Sequence, residues 1–237
     1  MRTLIISDLH HHTENADHWL ATQPHDRVVF LGDYFDDFGD DVSDARRTAM
    51  WLRDRIEKTD DVFLIGNHDI SYMFPNAPEL YCPGFTPAKA RGIAEILRPE
   101  HWRRLRLAHA EQGWLISHAG FHPMWLKEPT VEAFLNLCDL AMKRANRGGT
   151  DPFLGAGADR GGSQPIGGPL WMDWNTLIPI AGIHQIVGHT PGGQVREKIK
   201  RDSKNYCLDV RNGSVAAILS NGKVEILELH PAKTPSV

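Results

Sequence analysis

The segment Val62-Phe63-Leu64-Ile65-Gly66-Asn67-His68-Asp69 runs from a short apolar stretch directly into polar residues that can bind or orient a metal ion. Its β-branched and aromatic residues, bounded by glycine, are typical of a buried strand. The polar residues therefore lie where that strand ends. In an open α/β sheet, ligands gather beyond the carboxyl ends of the strands, so this position predicts a functional site.

The same arrangement recurs at four other places, where apolar runs end at Asp8-Leu9-His10, Gly32-Asp33, Ser117-His118 and Gly188-His189. A single ending of this kind is ordinary turn or helix-capping chemistry. Five endings in one chain predict a shared rim of carboxylate, imidazole and amide groups, a set that suits one or two divalent cations. The predicted metal ligands are Asp8, His10, Asp33, Asn67, His118 and His189.

These motifs resemble the five motifs of the calcineurin-like metallophosphoesterases, in the family's order and over most of the chain. The segments that carry the resemblance are Asp8-Leu9-His10, Gly32-Asp33-Tyr34-Phe35-Asp36, Gly66-Asn67-His68-Asp69, Ser117-His118-Ala119-Gly120 and Gly188-His189-Thr190. With Pro191 added, the last of them looks like the serine/threonine phosphatase and diadenosine tetraphosphatase branch. Many other members have a second histidine where this chain has Pro191. The resemblance implies an α/β fold with a two-sheet β-sandwich flanked by helices.

The resemblance also implies two divalent metal ions, with Asp33 bridging them and a shared hydroxide as the nucleophile. Asp8 and His10 would complete the first ligand set, while the second set would be completed by Asn67, His118 and His189. Because nitrogen and oxygen ligands are mixed, manganese is the expected ion, with iron, zinc, nickel or magnesium as alternatives.

In the same pattern, His68 is the candidate general acid for the leaving group, and Asp36 is the residue that would orient it. The alternative is that His68 is a spectator. His11 stands where the family often has glycine, so it is a candidate substrate contact. Asp69 and Thr190 are expected to orient ligands through hydrogen bonds.

Two arginines of the phosphatase pattern are absent. The residue after Asp36 is Asp37, and Leu170-Trp171-Met172 is followed by Asp173. Arginine binds phosphate oxygens through paired, charge-assisted hydrogen bonds, so these replacements put protein phosphatase activity in doubt. Arg160 is a candidate replacement from a nearby loop, and the alternative is that it is an ordinary solvent-exposed arginine.

Composition places the chain among ordinary globular proteins. Its 237 residues are enough for one domain, and we expect a single domain over 1–237. The formal charge of −4 gives no strong nucleic-acid signature. The three scattered cysteines predict reduced, buried thiols, and no apolar run reaches transmembrane length. A cytoplasmic protein without membrane contact is therefore expected.

The spacing of apolar residues predicts helices over residues 42–56 and 130–145, the second capped by Thr130. Shorter helices are expected around Ala88–Leu97 and Glu100–Leu105. The Gly-rich stretch 147–169 has no period and predicts a flexible loop, either a lid or disordered. Two Asn-Gly turns, at 212–213 and 221–222, predict a C-terminal antiparallel meander of three strands beginning at Tyr206.

The leading functional hypothesis is a dinuclear, metal-dependent phosphoester hydrolase, with phosphomonoesters slightly favoured. Nucleotide or dinucleoside polyphosphate hydrolysis and a phosphodiesterase activity are the alternatives. The substrate would be a phosphorylated small molecule, a nucleotide or a phosphoprotein. A different class of protein, a non-catalytic scaffold on the same fold, would be expected to have lost His68 or several ligands, and this chain keeps them.

Overall fold

The computed structural model describes residues 1–210 and 212–229. The helices of this part of the chain are α1 (Thr13–Thr22), α2 (Val42–Lys58), α3 (Asn67–Met73), α4 (Pro87–Ala94), α5 (Pro99–Trp102) and α6 (Val131–Ala145). The strands are β1 (Arg2–Ile6), β2 (Arg27–Phe30), β3 (Val62–Leu64), β4 (Leu105–Arg106), β5 (Ala108–Glu111), β6 (Trp114–Ser117), β7 (His184–Val187), β8 (Arg196–Lys200), β9 (Ser203–Cys207), β10 (Val215–Ser220) and β11 (Lys223–Glu228).

The strands form two sheets. The first has the order β11-β10-β1-β2-β3-β4, and the second has the order β5-β6-β7-β9-β8. β1 to β4 are parallel, and β10 and β11 extend that sheet in antiparallel fashion. β6, β7 and β9 are parallel, with β5 and β8 as antiparallel edges. Parallel neighbours need crossover connections, which α1 and α2 provide in the first sheet.

Alternate residues of the first sheet serve two cores. Ile5 and Val29 face the second sheet and pack in one cluster with Ile116 and Ile186. Their neighbours on the opposite face belong to a larger cluster with the helices, as the side-chain alternation of a strand requires. The predicted two-sheet sandwich flanked by helices is therefore confirmed.

The two long predicted helices form where expected. Asp41 caps α2 by accepting hydrogen bonds from the backbone of Ser43 and Asp44, and the Asp44 side chain returns a bond to the Asp41 amide. Thr130 caps α6 through the Ala133 amide, as predicted. The apolar stripe of α2 faces the core through Ala45, Ala49, Leu52 and Ile56.

The predicted three-stranded meander is wrong in its first strand. β9, which contains Tyr206, belongs to the second sheet, where it is parallel to β7. Only β10 and β11 form the predicted hairpin, around 221–222. The Asn212-Gly213 turn lies where the chain passes from β9 of the second sheet to β10 of the first. Two side chains of α1 hold this turn, since Asn15 and Trp19 donate hydrogen bonds of 2.8 Å to its two carbonyl groups. Arg211 lies outside the described residues.

Two other segments differ from the sequence-based expectation. The 147–169 stretch contains two short 3-10 turns, Pro152–Leu154 and Ala158–Arg160, and Phe153 and Leu154 are buried in the core. Leu105, expected at the end of a helix, lies in β4 because its backbone pairs with β3. Within residues 1–210 and 212–229, no helix combines the length and apolar composition of a membrane span.

Candidate metal centre

The predicted ligands follow the strands as expected. Asp8 follows β1, Asp33 follows β2, Asn67 begins α3 after β3, and His118 and His189 follow β6 and β7. All these side chains are buried. Loop contacts tie the strand ends of the two sheets together, since the His189 amide donates to Asp8 Oδ1 at 2.6 Å and His118 Nδ1 lies 3.0 Å from the Leu31 carbonyl oxygen. The candidate centre therefore contains residues that follow strands of both sheets.

Asn67, His118 and His189 direct three polar atoms at one point. Asn67 Oδ1 lies 2.9 Å from His118 Nε2 and 2.8 Å from His189 Nδ1, and the two nitrogens are 3.2 Å apart. The Leu31 carbonyl oxygen can only accept, so His118 donates to it from Nδ1, and Nε2 is the ring atom that faces Asn67 and His189. Asp33 Oδ2 lies 3.4 Å from that nitrogen. Two imidazole nitrogens, an amide oxygen and a carboxylate that converge among buried residues form a ligand set that fits a divalent cation.

A second group shares Asp33. The ligand atoms of His10, Asp33 and His68 lie within 4.8 Å of one another, as do those of Asp33, His118 and His189. His10 Nδ1 lies 2.6 Å from the Asp36 carbonyl oxygen, which leaves its Nε2 facing Asp33 at 3.7 Å. Asp33 is therefore positioned to contact ions in both groups. The geometry differs from the predicted ligand sets because His68, and not Asp8, completes the group around His10.

The charges of this centre are unevenly distributed. Burial would raise the pKa of Asp33, but the charges of His118, His68 and His10 outweigh burial and lower it. Burial and the nearby charge of Asp209 raise the pKa of Asp8 to about 7. The carboxylates of Asp8 and Asp33 and the imidazoles beside them form a ligand set that suits divalent cations, whose positive charge would balance the buried negative charge.

The backbone of the centre adopts conformations that ordinary residues rarely occupy. His10, Asp33, Asp36 and His189 have positive φ angles of 44°, 49°, 65° and 68°. Such conformations are costly and cluster at functional sites. Close approach also requires glycine at position 66, where a Cβ atom would lie 2.0 Å from Asp33 Oδ1. Strain is thus concentrated at the residues that carry the candidate ligands.

Asp69 stabilises this strained backbone. Its carboxylate accepts hydrogen bonds of 2.8–2.9 Å from the amides of Asp33, Tyr34 and Gly66. Thr190 acts on the other side of the centre, where its Oγ1 accepts from the Trp174 amide at 3.0 Å. Asp69 thus positions the backbone of Asp33, whereas the partners of Thr190 Oγ1, the Trp174 amide and Arg160, are not predicted metal ligands.

The comparisons with known proteins agree with this geometry. A model of the calcineurin-like phosphoesterase family matches residues 1–193. The chain belongs to the calcineurin-like phosphoesterase family. It is therefore a metal-dependent phosphoesterase. No protein with a curated description matches it.

Solved structures show the same fold at low identity. A cold-active protein-tyrosine phosphatase of a psychrophilic Shewanella species is 16% identical, with a TM-score of 0.58 over 96% of this chain and 80% of that one. A protein serine/threonine phosphatase from Saccharomyces cerevisiae is 14% identical, with a TM-score of 0.53 over 98% of this chain and 82% of that one.

In this phosphoesterase, His68 lies beside Asp36 as the family pattern implies. His68 Nδ1 is 3.1 Å from Asp36 Oδ2. Burial lowers the pKa of His68, but the charge of Asp33 and the hydrogen bond to Asp36 outweigh it and raise the pKa to about 11. The side chain is therefore a protonated imidazolium in the absence of other cations. Its ring meets that of His10 edge-on at 5.2 Å.

Lys89 is a buried part of this site that the sequence analysis missed. Its Nζ donates to Asp36 Oδ1 at 2.7 Å and to both carboxylate oxygens of Asp40 at 2.9 Å. The Tyr72 hydroxyl donates to the same Asp36 oxygen. These bonds fix the carboxylate that holds His68. The one feature of the sequence that indicates its burial is its spacing, because Lys89 lies four residues before the buried Ile93 and so on the same face of α4.

The structure does not support the predicted substrate contact of His11. Its Nδ1 lies 2.8 Å from Thr48 Oγ1, and its Nε2 lies 2.8 Å from Asp40 Oδ2. The Asp36 amide also donates to that Nε2, at 3.1 Å. Because both ring nitrogens are occupied and the side chain is only 9% exposed, His11 stabilises the Asp36 loop instead.

Arg160 lies beside the metal centre. Its Nε is 2.9 Å from Asp173 Oδ2, and its Nη2 donates to Thr190 Oγ1 at 3.0 Å. Its side chain is 26% exposed, and its positive charge contributes to the lowered pKa of His189, after burial and His118. Asp173, which replaces an arginine of the family pattern, thus holds an arginine from another loop.

Asp209 is a further carboxylate near the centre that the sequence analysis overlooked. Burial and the charge of Asp33 raise its pKa to about 6, against the opposing effect of His10. It follows the apolar end of β9, so it repeats the pattern of strand end and acidic residue seen at β1 and β2. The sequence contains this pattern at Asp209, but the predicted meander put β9 beside β10 instead of in the second sheet.

Proposed function

We propose that this phosphoesterase hydrolyses phosphomonoesters at a centre of two divalent ions bridged by Asp33. The observation that carries the proposal is the membership of Asp33 in both compact ligand groups, with His68 at one edge. The convergence of His118 Nε2 and His189 Nδ1, 3.2 Å apart, supports an ion in the second group. Asp8 would be a ligand of the first ion, and the bond that its Oδ1 accepts from the His189 amide positions a ligand of the second.

Manganese is the proposed native ion, because imidazole, amide and carboxylate ligands together favour transition metals over calcium. Iron, zinc, nickel and magnesium are the alternatives. When bound, the ions supply an activated hydroxide near neutral pH and neutralise the phosphoryl oxygens.

His68 supplies the proton that the leaving alkoxide needs. Asp36 accepts from Nδ1 of the imidazolium, so Nε2 is the proton-donating atom. Lys89 and Tyr72 donate hydrogen bonds to Oδ1 of Asp36, the oxygen that does not contact His68, and so fix the orientation of the carboxylate. A general acid must carry a proton, and the raised pKa of His68 keeps one on the ring. The positive charge of bound metal ions would lower that pKa toward neutral pH, where proton transfer to the leaving group is efficient.

Arg160 is the proposed phosphate contact. A dianionic monoester needs a cation at a rim that also carries Asp37 and Asp173, and Arg160 is held there by Asp173 and Thr190. A guanidinium can exchange those partners for two phosphate oxygens. The exposed carboxylate of Asp37 favours a diester or another less charged substrate instead, which makes diesterase activity the second candidate.

Replacing Arg160 tests the monoester proposal. In Mn²⁺-loaded protein, Arg160→Ala is expected to lower kcat/KM for nitrophenyl phosphate by about tenfold or more, because a charge-assisted hydrogen bond is lost. The kcat/KM for bis-nitrophenyl phosphate should fall much less, since a monoanionic diester depends less on the added cation. Steady-state kinetics on both substrates measures the difference.

Arg147→Ala is the matched control, because Arg147 is an exposed arginine of the same loop region. If wild type already prefers the diester, and Arg160→Ala changes neither substrate, the phosphomonoesterase proposal is wrong and the diesterase takes its place. A panel that adds nucleotides, a dinucleoside polyphosphate and a phosphopeptide separates the remaining substrate classes.

We also propose a cytoplasmic location, in which the free thiols of Cys82, Cys138 and Cys207 would stay reduced.

A further inference from the structure

Phe38 presents a fully exposed aromatic ring on the turn that follows Asp36, the partner of the candidate general acid. It lies two residues after Asp36, and its relative exposure is 105%. Single exposed apolar residues are common on protein surfaces. Phe38 differs because the turn that carries it is fixed on both sides by buried polar groups, so its exposure is built into the site.

The anchors of this turn are specific. Asp36 and Asp40 flank it, and both bind Lys89. Asp40 also binds His11 at 2.8 Å. The amide of Phe38 donates to Asp37 Oδ1 at 2.7 Å. The chain on both sides of Phe38 is therefore anchored by polar contacts, while the ring itself is exposed and makes no packing contribution to the core.

A second exposed aromatic residue lies on a segment that contacts the same site. Tyr81 is 40% exposed and stacks on Phe85 with a ring separation of 4.0 Å. The next residue, Cys82, accepts a hydrogen bond from Asn67 at 3.0 Å, directly beside His68. Gly84 packs so closely on Asp36 that a Cβ atom there would lie 2.8 Å from the Asp36 carboxyl carbon. Exposed aromatic residues thus lie on the two segments, 36–40 and 81–85, that contact each other at Asp36 and Gly84.

We propose that Phe38, with Tyr81 as a second contact, binds a planar aromatic group on the leaving side of the substrate. The inference rests on the proposed function, because the group protonated by His68 must leave past this rim. Aromatic rings attract one another in stacked or edge-on arrangements. The carboxylates of Asp37 and Glu14 make this side acidic, so an uncharged ring is favoured over a further phosphate. The ring comes from an aryl phosphate or from the base of a nucleoside monophosphate.

The decisive comparison uses benzyl phosphate and cyclohexylmethyl phosphate, whose leaving alcohols are of the same kind and whose rings are similar in size. For Mn²⁺-loaded wild type, benzyl phosphate should have the lower KM. Phe38→Ala should raise the KM for benzyl phosphate about fivefold relative to that for cyclohexylmethyl phosphate, the size of an aromatic pair contribution. Phe38→Trp should keep the preference, and Phe38→Leu should lose it. Ile199→Ala is the control, since Ile199 is exposed on the distant edge strand β8.

The two ring sources are separated by adding phosphotyrosine and adenosine monophosphate to the series, because only the true source should show the KM effect of Phe38→Ala. Active protein with equal KM ratios in wild type and Phe38→Ala overturns the aromatic contact and leaves the proposed function intact. Protein that hydrolyses no phosphoester overturns the proposed function, and calorimetric binding of benzylphosphonate then tests the contact alone. In that case, equal affinities for wild type and Phe38→Ala overturn it.

Discussion

Asp33→Asn is expected to remove most of the bound metal and to lower kcat by about a thousandfold or more, because one residue supports both ions. The amide oxygen of asparagine can still accept the hydrogen bond that Asp33 Oδ1 receives from the His68 amide at 3.0 Å. The backbone of the centre should therefore stay in place. Elemental analysis of the purified variant, together with its kinetics on nitrophenyl phosphate, measures both effects.

Asp60→Asn is the control for Asp33→Asn, because Asp60 is a fully exposed carboxylate far from the centre in the fold. Circular dichroism should show the same thermal unfolding profile for Asp33→Asn and the metal-free wild type, and for Asp60→Asn and the metal-loaded wild type. An Asp33→Asn protein that retains two metal ions per chain and wild-type kcat would show that Asp33 is not the bridge.

His68→Asn is expected to keep the metal ions and to lower kcat by about a hundredfold to ten-thousandfold on phosphoesters with poor leaving groups. Alkyl phosphates need the proton from His68, whereas nitrophenolate leaves without it. The loss should therefore be much smaller on nitrophenyl phosphate. A series of aryl and alkyl phosphates gives the dependence of kcat on the pKa of the leaving group, which should steepen in the variant.

The metal content of the same variant separates the two possible roles of His68. Its ligand atom lies near those of His10 and Asp33, so it is also placed to bind an ion. If His68→Asn empties one metal site, His68 is a ligand and its assignment as general acid is wrong. His18→Asn serves as the control, since His18 is exposed on α1.

The strand ends could be predicted from sequence because they depend on local pattern. Each apolar run is long enough to cross a sheet once, and the polar residue that follows must lie at the edge. This reasoning located Asp8, Asp33, Asn67, His118 and His189 correctly on one rim. The helices α2 and α6 were predictable for the same reason, because their apolar stripes and caps are local features.

The contacts that the sequence did not reveal are those between distant segments. Lys89 comes 53 residues after Asp36, and no local pattern links a helix lysine to that carboxylate. The assignment of β9 failed because the strand pairs with β7 and β8 of the other sheet, while the Asn212-Gly213 turn is held by α1. The partners of His11 could not be predicted for a similar reason, since Thr48 and Asp40 lie 37 and 29 residues away.

The measurement that tests the central claim most directly is hydrolysis of nitrophenyl phosphate by protein from which all metal has been removed with a chelator. Activity should be abolished, Mn²⁺ should restore it, and Ca²⁺ should restore much less, because the ligand set is mixed nitrogen and oxygen. Titration with Mn²⁺ should reach full activity at two ions per chain, the number proposed for the bridged centre. Full activity in metal-free protein would contradict the account.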